Sequence, residues 1–220
     1  MERPALPPRT ALVAGATGLV GREILQGLLA DEGVATVHVL ARRAPDLRHP
    51  KLVVHLVDFT RLPALPALDE AYLALGTTIK VAGSQPAFRA VDLDANLAVA
   101  RAARAAGATR LGVVSAMGAD SQSAIFYNRV KGELEKAVDG LGYEGVVIAR
   151  PSFLLGDRQS LGQPERTGEK IAAGVGRWIG HVLPANLRPI RAADVARALL
   201  RTVPQAKAAQ VLLSGDMQPA

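Results

Sequence analysis

Thr10-Ala-Leu-Val-Ala-Gly-Ala-Thr-Gly-Leu-Val-Gly21 is the stretch that decides the fold. Ala11 to Ala14 are apolar without a break, the length of a short buried strand, and Gly15, Gly18 and Gly21 punctuate the turn after it. From Val20 the spacing becomes helical, with Ile24, Leu25, Leu28 and Leu29 on one face until Asp31 and Gly33. Strand, glycine turn and helix in that order form a phosphate-binding element. Free backbone N–H groups and the positive end of the helix dipole point at one spot where the strand ends. Gly15 allows the tight turn, Gly18 lets backbone approach a pyrophosphate, and Gly21 has no side chain to hold the helix off the strand. The same glycines would suit a plain turn in any α/β protein. The flanking strand and helix favour dinucleotide binding.

Downstream, Thr36–Ala41, 51–57, Glu70–Leu75, Arg110–Val114 and Gly145–Ala149 read as further strands, and Gln210–Leu213 as a last short one. Helical spacing predicts a long helix over 87–106, with Val91, Ala95, Ala98, Val99, Ala102 and Ala106 as its apolar stripe. It predicts others over 125–138 and 192–203. Strands alternating with helices require crossover connections, hence a mainly parallel sheet covered on both faces. The expected fold class is α/β, a doubly wound Rossmann sheet with a short C-terminal substrate-side segment. Residues 1–220 are expected to form a single domain, with 151–190 as an excursion rich in Gly, Pro, Arg and Gln.

Composition narrows the function. The 220 residues, 49% hydrophobic, can bury one large core. There is no cysteine, which excludes disulfides, thiolate catalysis and zinc–sulfur sites. His38, His49, His55 and His181 lack the i, i+4 spacing of a helical metal site, so no metal is expected. No apolar run reaches the ~20 residues that span a bilayer, and residues 1–9 lack the apolar core of a signal peptide. No membrane partner is expected, and the expected compartment is the cytoplasm. A net charge of +6 invites nucleic acid, but the arginines are dispersed and aromatics make up only 4%. A solvated basic surface that steers anionic cofactors fits better. The partner is expected to be a small-molecule substrate, and the chain a monomer or homodimer.

Three residues have the chemistry for proton transfer. Ser115 ends the fifth strand, and Tyr127 and Lys131 follow on the next helix. Tyr and Lys at i, i+4 share a helical face, where an ammonium favours a nearby phenolate. With a serine hydroxyl polarising a carbonyl, the pair would protonate the alkoxide formed when hydride arrives, or take the proton in reverse. A Tyr-x-x-x-Lys pair alone is common. Its position after the serine strand, downstream of the glycine turn, makes it specific.

With those residues assembled, the chain resembles the short-chain dehydrogenase/reductase superfamily, in an atypical branch similar to the Tat-interacting protein oxidoreductases. The matching segments are GATGLVG (15–21), LGTT (75–78), VSAMGAD (114–120), YNRVKGELE (127–135), RPSFLLGDR (150–158) and RAADVARALL (191–200). The resemblance implies a Rossmann fold, an NADP-type cofactor and a Ser115/Tyr127/Lys131 catalytic set. The cofactor contacts expected on this basis are Gly15, Thr17, Gly18, Leu19, Val20, Arg42, Arg43, Asp58, Leu75, Gly76, Thr77, Thr78, Tyr127, Lys131, Pro151 and Phe153. A fourth polar member often comes from the helix before the serine strand, where Asn96 and Asp92 both stand. The C-terminal part is shorter than in sugar-nucleotide epimerases, which argues against so large a substrate.

The expected function is an NADP(H)-dependent oxidoreductase for a small carbonyl or alcohol. The alternative is an NADPH-binding redox sensor or scaffold with little turnover. NADP(H) is favoured over NAD(H) because the second strand ends in Ala41-Arg42-Arg43, where an NAD site carries an acid. Residues 156–188 would serve as a lid, with Trp178 and Ile179 in the 174–182 region closing over the substrate beside Phe153, Leu154 and Leu155. A plain surface excursion, with Trp178 in a core or dimer contact, is the competing reading.

Overall fold

The computed structural model describes residues 8–155 and 184–218. In chain order the elements begin with β1 (Arg9–Ala14), α1 (Leu19–Ala30), β2 (Val34–Ala41), β3 (Leu52–Leu56) and β4 (Glu70–Leu73). The short helices α2 (Ile79–Ala82) and α3 (Gln85–Arg89) lead into a π-helical turn, Ala90–Ala95, and then α4 (Asn96–Ala105). β5 (Arg110–Val114), α5 (Phe126–Asp139), β6 (Gly145–Arg150) and β7 (Leu154–Leu155) follow. After residue 184 come β8 (Ile190–Arg191), α6 (Ala192–Thr202), β9 (Ala209–Leu213) and α7 (Ser214–Met217).

Seven strands form one sheet in the order β3-β2-β1-β4-β5-β6-β9, and every neighbouring pair runs parallel. The inner strands are largely apolar because both faces are covered, whereas the edge strands β3 and β9 are partly exposed. Ala11 and Val13 of β1 pack with Ile24 and Leu28 of α1 and with Val195 and Leu199 of α6. Leu12 and Ala14 turn the other way, to Phe88, Leu93 and Val99 and to Val130 and Leu134 of α5. The mainly parallel Rossmann-like α/β fold expected from the sequence is the one observed. Leu154–Leu155 and Ile190–Arg191 pair separately as a small parallel ribbon, which the spacing of the sequence did not suggest.

The long helix expected over 87–106 is three segments. The π-turn shifts the phase of the face behind it, so Val91, Ala98, Ala102 and Ala106 are only half-buried. The buried positions are Phe88, Asp92, Leu93, Ala95, Asn96, Val99, Ala100 and Ala103. Two polar side chains thus occupy a face that the apolar spacing assigned to alanines, and a turn of this kind often marks a functional site. Of the excursion expected over 151–190, residues 156–183 lie outside the described residues. So do the roles expected there for Trp178, Ile179 and the 174–182 region.

A candidate active site at the carboxyl edge of the sheet

The strand order changes direction between β1 and β4, and open α/β sheets take their ligands outside the carboxyl ends at such a point. The turn after β1 is built for a close approach. Gly15 has φ +92°, and a Cβ there would lie 2.3 Å from Ala74 O. A Cβ on Gly21 would lie 2.0 Å from Gly15 O, so α1 can start against the strand only with glycine at that place. At Gly18 the nearest atom to such a Cβ is Gly15 O at 3.4 Å, which leaves its outer side open. Gly18 caps α1 with no side-chain hydrogen bond, and the first turn holds no acid. The N–H groups of Leu19, Val20 and Gly21 have no acceptor within the helix. An uncapped helix start beside an open glycine fits a pyrophosphate, so these residues fit a dinucleotide cofactor. Thr17 is exposed at the same turn.

Arg42 and Arg43 follow the end of β2, both exposed. Asp58, after β3, is exposed, and its Oδ1 accepts the Thr60 N–H at 2.9 Å. That hydrogen bond holds the Asp58 carboxyl below the usual carboxylate range. Leu75, Gly76, Thr77 and Thr78 form the loop after β4. Thr78 caps α2, its hydroxyl oxygen accepting from Val81 N. Asp92 of the π-turn and Asn96 at the start of α4 hold this loop. Asp92 Oδ2 accepts the Thr77 N–H at 2.8 Å, and Asn96 Nδ2 donates to Leu75 O at 3.1 Å.

The catalytic candidates converge on α5. Tyr127, Lys131 and Glu135 recur at i, i+4 and i+8, one face of the helix. The Tyr127 ring, half-buried, packs on Phe88 with centroids 5.5 Å apart. Lys131 Nζ lies 2.8 Å from Asp92 Oδ1, with side chains 5% and 1% exposed. Of the two candidates for a fourth polar member, Asp92 therefore faces the lysine, while Asn96 braces the loop. Ser115, just past β5, gives its hydroxyl proton to Glu135 Oε1. Glu135 is held in turn by Arg150 at the end of β6, through Nε at 3.1 Å and Nη2 at 2.5 Å. This hydrogen bond raises the Arg150 guanidinium further above its ordinary range, so the arginine stays charged.

Ser115 was expected to donate its hydroxyl to a carbonyl. With its one proton donated to Glu135 Oε1, the oxygen offers lone pairs instead. Glu135 and Arg150 were missed in the sequence. Glu135 is legible as the next residue on the Tyr127/Lys131 face, whereas Arg150 reaches it only through the β5–β6 pairing. Pro151 is buried, with its carbonyl accepting Met117 N at 2.9 Å. Phe153 is 62% exposed. Among the described residues there is no cluster of three metal-ligating side chains, and no helix is long and apolar enough to cross a membrane.

The chain belongs to the NAD(P)H-binding family, whose model matches residues 15–160. It is 32% identical over 200 residues to "Protein FMP52, mitochondrial" of Candida albicans, covering 87% of this chain and 86% of that protein. The protein of the same name from Coccidioides immitis is 38% identical over 167 residues, 68% of each chain. Among solved structures, MoeE5 in complex with UDP-glucose and NAD matches with a TM-score of 0.67 at 17% identity, over 93% of this chain and 76% of that one. An oxidoreductase of the short chain dehydrogenase/reductase family from Burkholderia thailandensis matches with a TM-score of 0.67 at 19% identity, over 96% and 94%. Likeness at that identity shows the fold. The cytoplasmic compartment expected from the sequence does not stand, because the relatives matched over most of their length are named mitochondrial proteins. Absence of an apolar leader decided that expectation, and such a leader marks secretion only.

Proposed function

Proceeding from membership of the NAD(P)H-binding family, we propose that this chain is an NADP(H)-dependent oxidoreductase of short-chain dehydrogenase type. It acts on a small carbonyl compound or the corresponding alcohol and resembles the Tat-interacting branch. One observation carries the reading: Ser115, Tyr127 and Lys131 are linked through a single face of α5, beside the loop after β4 that the same network holds. The bound dinucleotide supplies or accepts the hydride. Tyr127 gives a proton to the nascent alkoxide or takes one from the alcohol. Lys131 holds the nicotinamide ribose and favours the phenolate. Ser115 accepts a hydrogen bond from the substrate hydroxyl, because its own O–H is donated to Glu135. Arg42 and Arg43 pair with a 2′-phosphate, which supports NADP(H) over NAD(H). The names of the fungal relatives support a mitochondrial setting.

The second reading, an NADPH-binding sensor with little turnover, is favoured by one observation. The Ser115 proton and the Lys131 charge are both already engaged, by Glu135 and Asp92. Cofactor-dependent turnover against a panel of aldehydes, ketones and quinones separates the two. Consumption of NADPH with any of them supports the enzyme, and tight NADPH binding without consumption supports the sensor.

A further inference from the structure

The Asp92 carboxylate serves two donors on different elements. Oδ1 faces the Lys131 ammonium on α5 at 2.8 Å, and Oδ2 takes the Thr77 N–H from the loop after β4, also at 2.8 Å. Only a carboxylate accepts on both oxygens. An asparagine would accept on one and turn its NH₂ group toward either the ammonium or the Thr77 N–H. The two facing donors therefore specify the acid. The π-turn brings it into place. Four residues on, Asn96 Nδ2 donates to the carbonyls of Val91 and Asp92 within the turn, each at 3.2 Å, and reaches Leu75 O at 3.1 Å. Turn and loop are thus pinned together, and Asp92 is the member that extends the connection to the lysine. The Asp92 side chain is 1% exposed, so water does not stand in for either contact.

We propose that Asp92 is a positioning residue, which fixes the direction of Lys131 against the loop at the crevice so that the dinucleotide is bound with its nicotinamide ribose held. The inference rests on the reading of that crevice as a dinucleotide site. It differs from a purely structural role for the ion pair, in which Asp92 would stabilise the fold and leave the ligand indifferent.

The test is a double-mutant cycle in NADPH binding, followed by nicotinamide fluorescence in the wild type, D92N, K131M and D92N/K131M. D92N raises the Kd about tenfold, but changes it by less than about threefold once Lys131 is gone. The emission enhancement of bound NADPH falls in D92N to the level of K131M. Equal effects of D92N in both backgrounds would mean that Asp92 acts through Thr77 alone and would overturn the proposal, as would full enhancement in D92N. Where D92N, which removes the carboxylate facing a buried ammonium, does not fold, the double variant removes both charges of the pair. K131M against D92N/K131M then carries the test, and a further loss beyond about threefold overturns it. A wild type with no saturable NADPH binding overturns the dinucleotide reading itself, a different outcome from saturable binding with uncoupled effects.

Discussion

Ser115 and Glu135 stand twenty residues apart in the chain, and the hydroxyl of the first donates to the carboxylate of the second. The contact joins the carboxyl end of β5 to the middle of α5, and Arg150 extends it to β6. Three elements at the edge of the crevice are thereby locked together through one buried acid. Removing Glu135 strips the half-buried Arg150 guanidinium of its hydrogen-bonded counter-charge, which costs more than losing a neutral hydrogen bond. Glu135→Ala should therefore destabilise the protein by about 3 kcal/mol, and Ser115→Ala by about 1 kcal/mol. Equal losses in urea unfolding would show that the serine, not the ion pair, holds the junction.

If Tyr127 moves the proton, Tyr127→Phe keeps the ring on Phe88 and removes only the hydroxyl. Turnover should fall by about 10²–10⁴-fold with NADPH affinity nearly unchanged. Lys131→Ala should weaken both, because the lysine is assigned to the ribose as well as to the phenol. Full activity in the phenylalanine variant would place the proton donor elsewhere.

The arginines after β2 make a separate prediction about cofactor choice. Each charge-assisted bond to a 2′-phosphate is worth about tenfold in affinity or more. Arg42→Ala/Arg43→Ala should lose most of the preference for NADPH over NADH while binding NADH about as before. Equal dissociation constants for the two cofactors in the wild type would remove the assignment.

At the opposite, amino edge of the sheet, Glu70 is buried beside Arg9, whose Nε lies 3.5 Å from Oε1. Burial pushes the Glu70 carboxyl up from its ordinary value of 4.5, against the pull of Arg9. The folded chain therefore keeps that proton to a higher pH than the unfolded chain does. Stability from this group is fully present below the unfolded value and declines as pH rises toward the folded one. Thermal melts of wild type and Glu70→Gln should be close at pH 4 and diverge above it, with the glutamine variant the more stable at neutral pH. A constant difference across that range would contradict the burial argument.

Much of this architecture is legible in the sequence because it rests on local patterns. The run Ala11–Ala14, the three glycines and the helical spacing from Val20 fix a strand–turn–helix unit, and six further runs fix the sheet. Tyr127 and Lys131 are legible for the same reason, being one helical turn apart. The buried acids are not. Asp92 reaches Lys131 only because a π-turn shifts the phase of its helix, and an extra residue in a turn leaves no mark in an apolar stripe. Arg150 meets Glu135 through a strand pairing that depends on the whole sheet. The direction of the Ser115 hydroxyl depends on both.

The account turns on the turn after β1 being a pyrophosphate cradle, and two glycines there separate binding from folding. Gly18 is in extended backbone, φ −83°, that any residue adopts, and a methyl on it would clear Gly15 O at 3.4 Å and project into the crevice. A methyl on Gly21 would collide with Gly15 O at 2.0 Å. Titration with NADPH, read by nicotinamide fluorescence alongside a thermal melt of each protein, tests this most directly. The wild type should bind saturably, and Gly18→Ala should keep the wild-type melting temperature yet bind about tenfold more weakly or worse. Gly21→Ala should melt earlier, in keeping with an overpacking cost of about 1–3 kcal/mol. A wild type that binds no dinucleotide, or a Gly18→Ala protein that binds NADPH as tightly as the wild type, would contradict the account.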